Sequence, residues 1–164
     1  MIVHYSEERK VWWNWILIVT ALVCISALVA VFLKSEVRAT PAAFITYVAA
    51  GGTAVLLAFL VFIFSRYEVR IAETYIQFGY NGWHKRVEHD EVVGVANVDA
   101  RFWTFGGLGW RIDTRGRIGY IVNFGPAVEV TLKTGRIYVF SCLEPDKVVR
   151  LLERDIASSS CNDG

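Results

Sequence analysis

Residues 74–88 read TYIQFGYNGWHKRVE, two short alternating runs, 74–80 and 83–88, separated by Asn81-Gly82. An Asn-Gly pair between alternating runs is the strongest short-range hairpin signal, because both central residues of the tightest hairpin turn need positive φ. The same pattern recurs at 128–133 and 136–141 around Thr134-Gly135. Between the two hairpins, 91–98, 109–112 and 118–123 are further strand candidates, with Thr114-Arg115-Gly116 turning the chain between the last two. The sum is an antiparallel β-meander of six to seven strands.

Downstream the period changes. Pro145 suits the first position of a helix, and Val148, Val149, Leu151, Leu152 and Ile156 fall on one face opposite Asp146, Lys147, Arg150, Glu153 and Arg154. One amphipathic helix is therefore expected to close the sheet, completing a β-rich domain over 67–157. The polar segment 158–164 has little to bury and is predicted to be disordered.

Upstream the chain is different again. Of the 164 residues 54% are apolar, and the excess lies before residue 65, where 11–33 and 42–64 carry no charge. Each run would make roughly 34 Å of helix, enough for the hydrocarbon core of a bilayer. The sequence thus predicts a transmembrane helical hairpin over 11–66, with helices at about 11–33 and 42–65, a link at 34–41, and Thr40-Pro41 as N-cap and first helical residue. Trp12, Trp13, Trp15 and Tyr67 would share one interface. Arg9, Lys10, Arg66 and Arg70 outnumber Lys34 and Arg38, which puts residues 1–10 and the C-terminal domain on the cytoplasmic side of the cell (inner) membrane, as a multi-pass protein. Ser26, Ala30, Ala50, Ala54 and Ala58 form a small-residue pattern expected to support self-association or contact with another membrane protein.

The turn FGYNGW at 78–83, the segment GGLGWRI at 106–112, and GYIVNFGPAVEVTLKTGR at 119–136, in this strand-helix order, resemble bacterial pleckstrin-homology-like (PH-like) membrane proteins. The resemblance covers residues 68–155. It implies an α+β membrane protein, a two-helix anchor followed by a PH-like antiparallel β domain. It supplies no catalytic residues, and Cys142 stands where a Thr is expected before the last helix.

Several chemistries lack support in the residues. From Tyr67 onward twelve Lys and Arg face thirteen Asp and Glu, so no basic face for nucleic acid is evident. Cys24, Cys142 and Cys161 form no paired framework. Gly106, Gly107 and Gly109 precede a strand rather than a helix, which argues against a phosphate cradle. His84 and His89 point to opposite faces of a short strand and have no third ligand, so they are expected to be surface histidines, with no metal and no cofactor. No nucleophile elbow or metalloprotease helix is present.

The stretch that stands out is 101–117, which gathers Phe102, Trp103, Phe105 and Trp110 with Arg101, Arg111, Arg115 and Arg117. Aromatic bodies with cationic tips suit a contact surface. The alternative is that the tryptophans fill the core while the arginines pair with Asp99 and Asp113. The expected function is a non-enzymatic, membrane-anchored interaction or scaffolding module that uses this surface or a sheet edge. Recognition of anionic lipid headgroups by Arg115 and Arg117 is the second expectation, and an unrecognised membrane enzyme the third.

Overall fold

The computed structural model describes the backbone of residues 3–33 and 41–160, and their side chains except at positions 31, 41–43, 46 and 158–160. The elements are β1 (Val3–Lys10), α1 (Asn14–Leu33), α2 (Pro41–Ile63), β2 (Arg66–Ala72), β3 (Tyr75–Tyr80), β4 (Trp83–Glu88), a 3-10 turn (His89–Glu91), β5 (Val92–Ala100), α3 (Phe102–Phe105), β6 (Gly109–Ile112), β7 (Ile118–Ile121), β8 (Gly125–Leu132), β9 (Ile137–Ser141) and α4 (Pro145–Ser160). They form two compact units: the first ten residues with everything from Arg66 onward, and Val11–Ser65.

In the second unit α1 and α2 pack against each other. The start of α1 and the end of α2 are tied by the Val11 N–H to the Ser65 carbonyl at 3.3 Å, by Asn14 Nδ2 donating to the Val61 carbonyl at 3.1 Å, and by the Trp13 and Phe64 rings at 5.4 Å. Half-buried Leu17, Ala21, Cys24 and Leu28 form the inward stripe of α1, the spacing expected of a helix face. Ala50 and Ala54 of α2 are half-buried, whereas Ser26 and Ala58 are exposed. The five small residues therefore do not make one packed stripe.

Among the described residues no helix is long and apolar enough to cross a membrane. This overturns the expected transmembrane hairpin and the membrane part of the fold class. The first helix starts at Asn14 rather than at 11, because the chain is still turning out of β1 at residues 12 and 13. The inner-membrane, multi-pass location and the cytoplasmic assignment of the termini are corrected with it. The link 34–40, with Lys34, Arg38 and Thr40, lies outside the described residues, as do positions 161–164 of the expected disordered tail. Positions 158–160 belong to α4.

The other unit is α+β, and among the described residues its strands number nine in two sheets: β1-β2-β3-β4, and β5-β8-β9-β7-β6. Both sequence-predicted hairpins are present, β3 with β4 and β8 with β9. A simple antiparallel meander is not, since β7 runs parallel to β9. Residues 3–10, expected as a plain leading segment, form an edge strand on β2. The expected PH-like fold is not shown by this arrangement.

The core lies where Tyr67, Val69 and Ile71 of β2 and Ile76, Phe78 and Tyr80 of β3 meet the second sheet, all these side chains being buried. Phe78 stacks on Phe140 at 4.6 Å and meets Tyr120 edge-on at 5.3 Å. Buried hydroxyls need partners. Tyr67 donates to the Ser141 carbonyl at 3.0 Å and Tyr80 to the Ile121 carbonyl at 2.8 Å. Helix α4 seals the open end with Val148 and Leu152, both fully buried.

Candidate functional site

Strand β5 ends at Ala100, and the chain enters α3, a single turn closed by Gly106 at φ 68°. Phe105 anchors that turn, buried with Ala100, Ile121, Ala127 and Val139. Gly119 makes room for its ring, since a Cβ there would sit 2.7 Å from Phe105 Cδ1. Residues two apart on a helical turn point away from each other. With Phe105 directed inward, Trp103 stands 91% exposed and Phe102 50% exposed.

Phe102 meets Trp103 edge-on at 5.4 Å and Phe124 edge-on at 5.7 Å, and Phe124 is itself exposed. A second aromatic pair lies on the following strand, where Trp110 of β6 sits 6.2 Å from Trp83 of β4. Both of these rings are exposed. The tryptophans therefore do not fill the core. The sequence reading missed Trp83 and Phe124, although each lies beside a turn, Asn81-Gly82 and Asn123-Phe124-Gly125.

The four arginines separate. Arg101 pairs with Asp99 at 3.2 Å on the surface. Arg117 is held at 2.7 Å by Asp113 and at 2.7 Å by Glu129, so its charge is committed inside the unit. Burial works against that charge, and the two carboxylates outweigh it, raising the arginine's pKa. Arg111 donates from Nε to the Leu108 carbonyl at 3.1 Å, and its guanidinium lies beside Gly107. The main-chain N–H of Arg115 bonds Asp113, while its side chain is exposed. Of the eight candidates, Phe105 and Arg117 are framework. Arg101, Phe102, Trp103, Trp110, Arg111 and Arg115 are surface.

The remaining reactive groups do not assemble around this surface. No group of three or more His, Cys, Asp or Glu side chains suited to a metal occurs among the described residues. His89 is 2% exposed, not the surface histidine expected. Cys142 is buried just beyond β9, and burial together with the nearby Glu7 carboxylate pushes its thiol up to about 12. A polar depression of about 170 Å³ on the outer face of the first sheet is lined by Glu8, Arg66, Glu68, Arg70 and His84 among others, and its two arginines are already paired with its two glutamates.

No family model, no curated protein and no solved structure matches this chain.

Proposed function

We propose that the β-rich unit is an interaction module, acting by contact rather than catalysis, that holds another protein against the surface of Phe102, Trp103 and Phe124 and the Trp83–Trp110 pair. The observation that carries this reading is the exposure of Trp103, at 91%, on a turn whose last aromatic, Phe105, is locked in the core. Exposed aromatic clusters on a rigid support are the usual anchors of protein interfaces, where a few Trp, Tyr and Arg residues carry most of the contact energy. The commitment of Arg117 to two carboxylates favours a protein partner over an anionic headgroup, because it dissolves the Arg115–Arg117 pair on which headgroup recognition would rest.

The test is site-specific photocrosslinking from position 103 in the full chain, expressed at its natural level. The expected result is a discrete adduct with a second protein that disappears with Phe102→Asp. Background adducts that are unchanged by Phe102→Asp would overturn the proposal.

A further inference from the structure

Strand β6 is an edge strand of the second sheet, and among the described residues β7 is its one strand partner. Its register places Trp110 opposite Tyr120, Arg111 opposite Gly119 and Ile112 opposite Ile118, and the next pair is closed by the Asp113 N–H donating to the Arg117 carbonyl at 3.0 Å. In an antiparallel ladder bonded and non-bonded pairs alternate. Counting back from Asp113, the main-chain N–H and C=O groups of Trp110 and Ile112 point outward at the open edge. The edge carries no proline and no inward charge, and the protection it has is its four-residue length and the charge of Arg111. Trp110, Arg111 and Ile112 are all exposed.

The two faces of this edge differ. Trp110 and Ile112 share one face, where Trp83 extends the apolar surface. Arg111 projects from the other, and Arg115 follows in the adjoining turn. Neither arginine has a carboxylate partner among the described residues. A strand added here would set every second side chain against tryptophan and isoleucine and the alternate ones toward uncompensated guanidinium groups.

Resting on the interaction reading above, we infer that β6 takes up an extended segment of a partner protein by strand addition, and that this segment alternates apolar with acidic side chains. Main-chain bonds to Trp110 and Ile112 supply the attachment, and the alternation supplies the selectivity. A second copy of this chain is a poorer occupant, because antiparallel pairing of two β6 strands brings Arg111 against Arg111, and like charges directly opposite oppose pairing.

The test uses the full chain and a capped hexapeptide of alternating Val and Glu, with amide hydrogen exchange read at Trp110 and Ile112. Exchange at both amides should slow at least tenfold with the Val-Glu peptide. It should not slow with the Val-Lys peptide, nor with a Val-Glu peptide N-methylated on alternate residues. The double variant Arg111→Glu, Arg115→Glu should exchange the preference in favour of Val-Lys. Its fold is checked by unchanged protection in β8 and β9. Equal protection by both peptides, or none, overturns the inference, and so does protection that grows with protein concentration alone, which would mean edge-to-edge pairing of copies. Adducts at position 103 without peptide protection remove strand addition and leave the interaction reading standing. Peptide protection without such adducts keeps strand addition and removes Phe102, Trp103 and Phe124 from the contact surface.

Discussion

Arg117 donates from Nε to Oδ2 of Asp113 at 2.7 Å, and the aspartate side chain is wholly withdrawn from solvent. Its other oxygen accepts the main-chain N–H groups of Arg115 and Arg117, each at 2.8 Å. The guanidinium also bonds Glu129 and lies 5.6 Å over the Phe105 ring, so one cation ties the β6–β7 turn to β8 and to the base of the aromatic surface. Burial opposes ionisation of Asp113, and the hydrogen bonds from Arg117 and the turn outweigh it, so its pKa falls below 3.8. A carboxyl with a depressed folded pKa stabilises the fold above its unfolded value, and that contribution is lost as pH falls through the folded one. Arg117→Met, which strands two carboxylates, should cost about 3–5 kcal/mol in urea unfolding. Asp113→Asn should cost about 1–3 kcal/mol and flatten the loss of stability below pH 4.

His89 is predicted to set a second pH window. Its ring is buried and neither nitrogen has a hydrogen-bond partner among the described residues. It faces Asp155 of α4, His4 of β1, the Glu88 side chain, and the Glu73 carbonyl, which does not reach hydrogen-bonding geometry. Burial is the dominant effect and lowers its pKa from 6.5 despite the pull of Asp155. The unfolded chain then takes the proton first, so stability is full above about pH 6.5 and declines as pH falls. Melting temperature should drop between pH 7.5 and 5.5, and His89→Leu should remove most of that drop. An unchanged slope in the variant would assign it to other groups.

Much of the β unit was legible because turn chemistry is local. Asn81-Gly82, Thr134-Gly135 and Thr114-Arg115-Gly116 each stand at the hairpin they predict. What the alternation could not convey is pairing order. Nothing in residues 118–121 says that, besides pairing with 109–112, they lie parallel to 137–141 rather than antiparallel to the next strand in sequence, 125–132. Strand β1 escaped notice because VHYSEERK carries four charged residues among its eight. Its one inward charge, Glu7, is buried and accepts the Tyr5 hydroxyl at 2.6 Å and the Leu143 N–H at 2.9 Å, contacts that no local pattern announces. The apolar runs were legible as helices. The second lies close to its expected bounds, whereas the first starts at Asn14 because β1 ends only at Lys10 and the turn after it takes up the start of that run.

The aromatic and basic richness of 101–117 was equally plain, but its division into framework and surface was not. Composition treats Phe102 and Phe105 alike. Only the backing of Phe105 by Gly119, across a strand pair, decides that one ring is buried and the other exposed. Likewise Arg115 and Arg117 look equivalent until the fold brings Glu129 of β8 beside one of them.

Cys142 is predicted to be inert in the folded protein. The thiolate is the reactive form, and burial with Glu7 nearby holds the thiol up at about 12. In a Cys24→Ser, Cys161→Ser background, iodoacetamide at pH 8 should modify Cys142 at least a hundredfold more slowly than in urea. Comparable rates in the two conditions would show that the β9–α4 junction opens readily.

Three glycines give a graded test of packing. At Gly79, φ is +145° and a Cβ would lie 2.5 Å from the Trp83 carbonyl oxygen and 2.6 Å from His84 Cα, both main-chain atoms of the paired strand. Backbone cannot step aside as a side chain can, so Gly79→Ala combines conformational strain with a clash and should destabilise by about 3 kcal/mol. At Gly119 the obstacle is the Phe105 ring. That ring can shift within its cluster, so Gly119→Ala should cost less, about 1–2 kcal/mol, while disturbing the turn that presents Trp103. At Gly94 the nearest atom is 4.0 Å away, on the Thr131 side chain, and Gly94→Ala should stay within about 0.5 kcal/mol of the parent. Urea midpoints in the order Gly94→Ala, Gly119→Ala, Gly79→Ala, from highest to lowest, are expected. A Gly119→Ala midpoint below that of Gly79→Ala would mean that Phe105 is held more rigidly than the β3–β4 hairpin itself, making the aromatic surface the stiffer of the two.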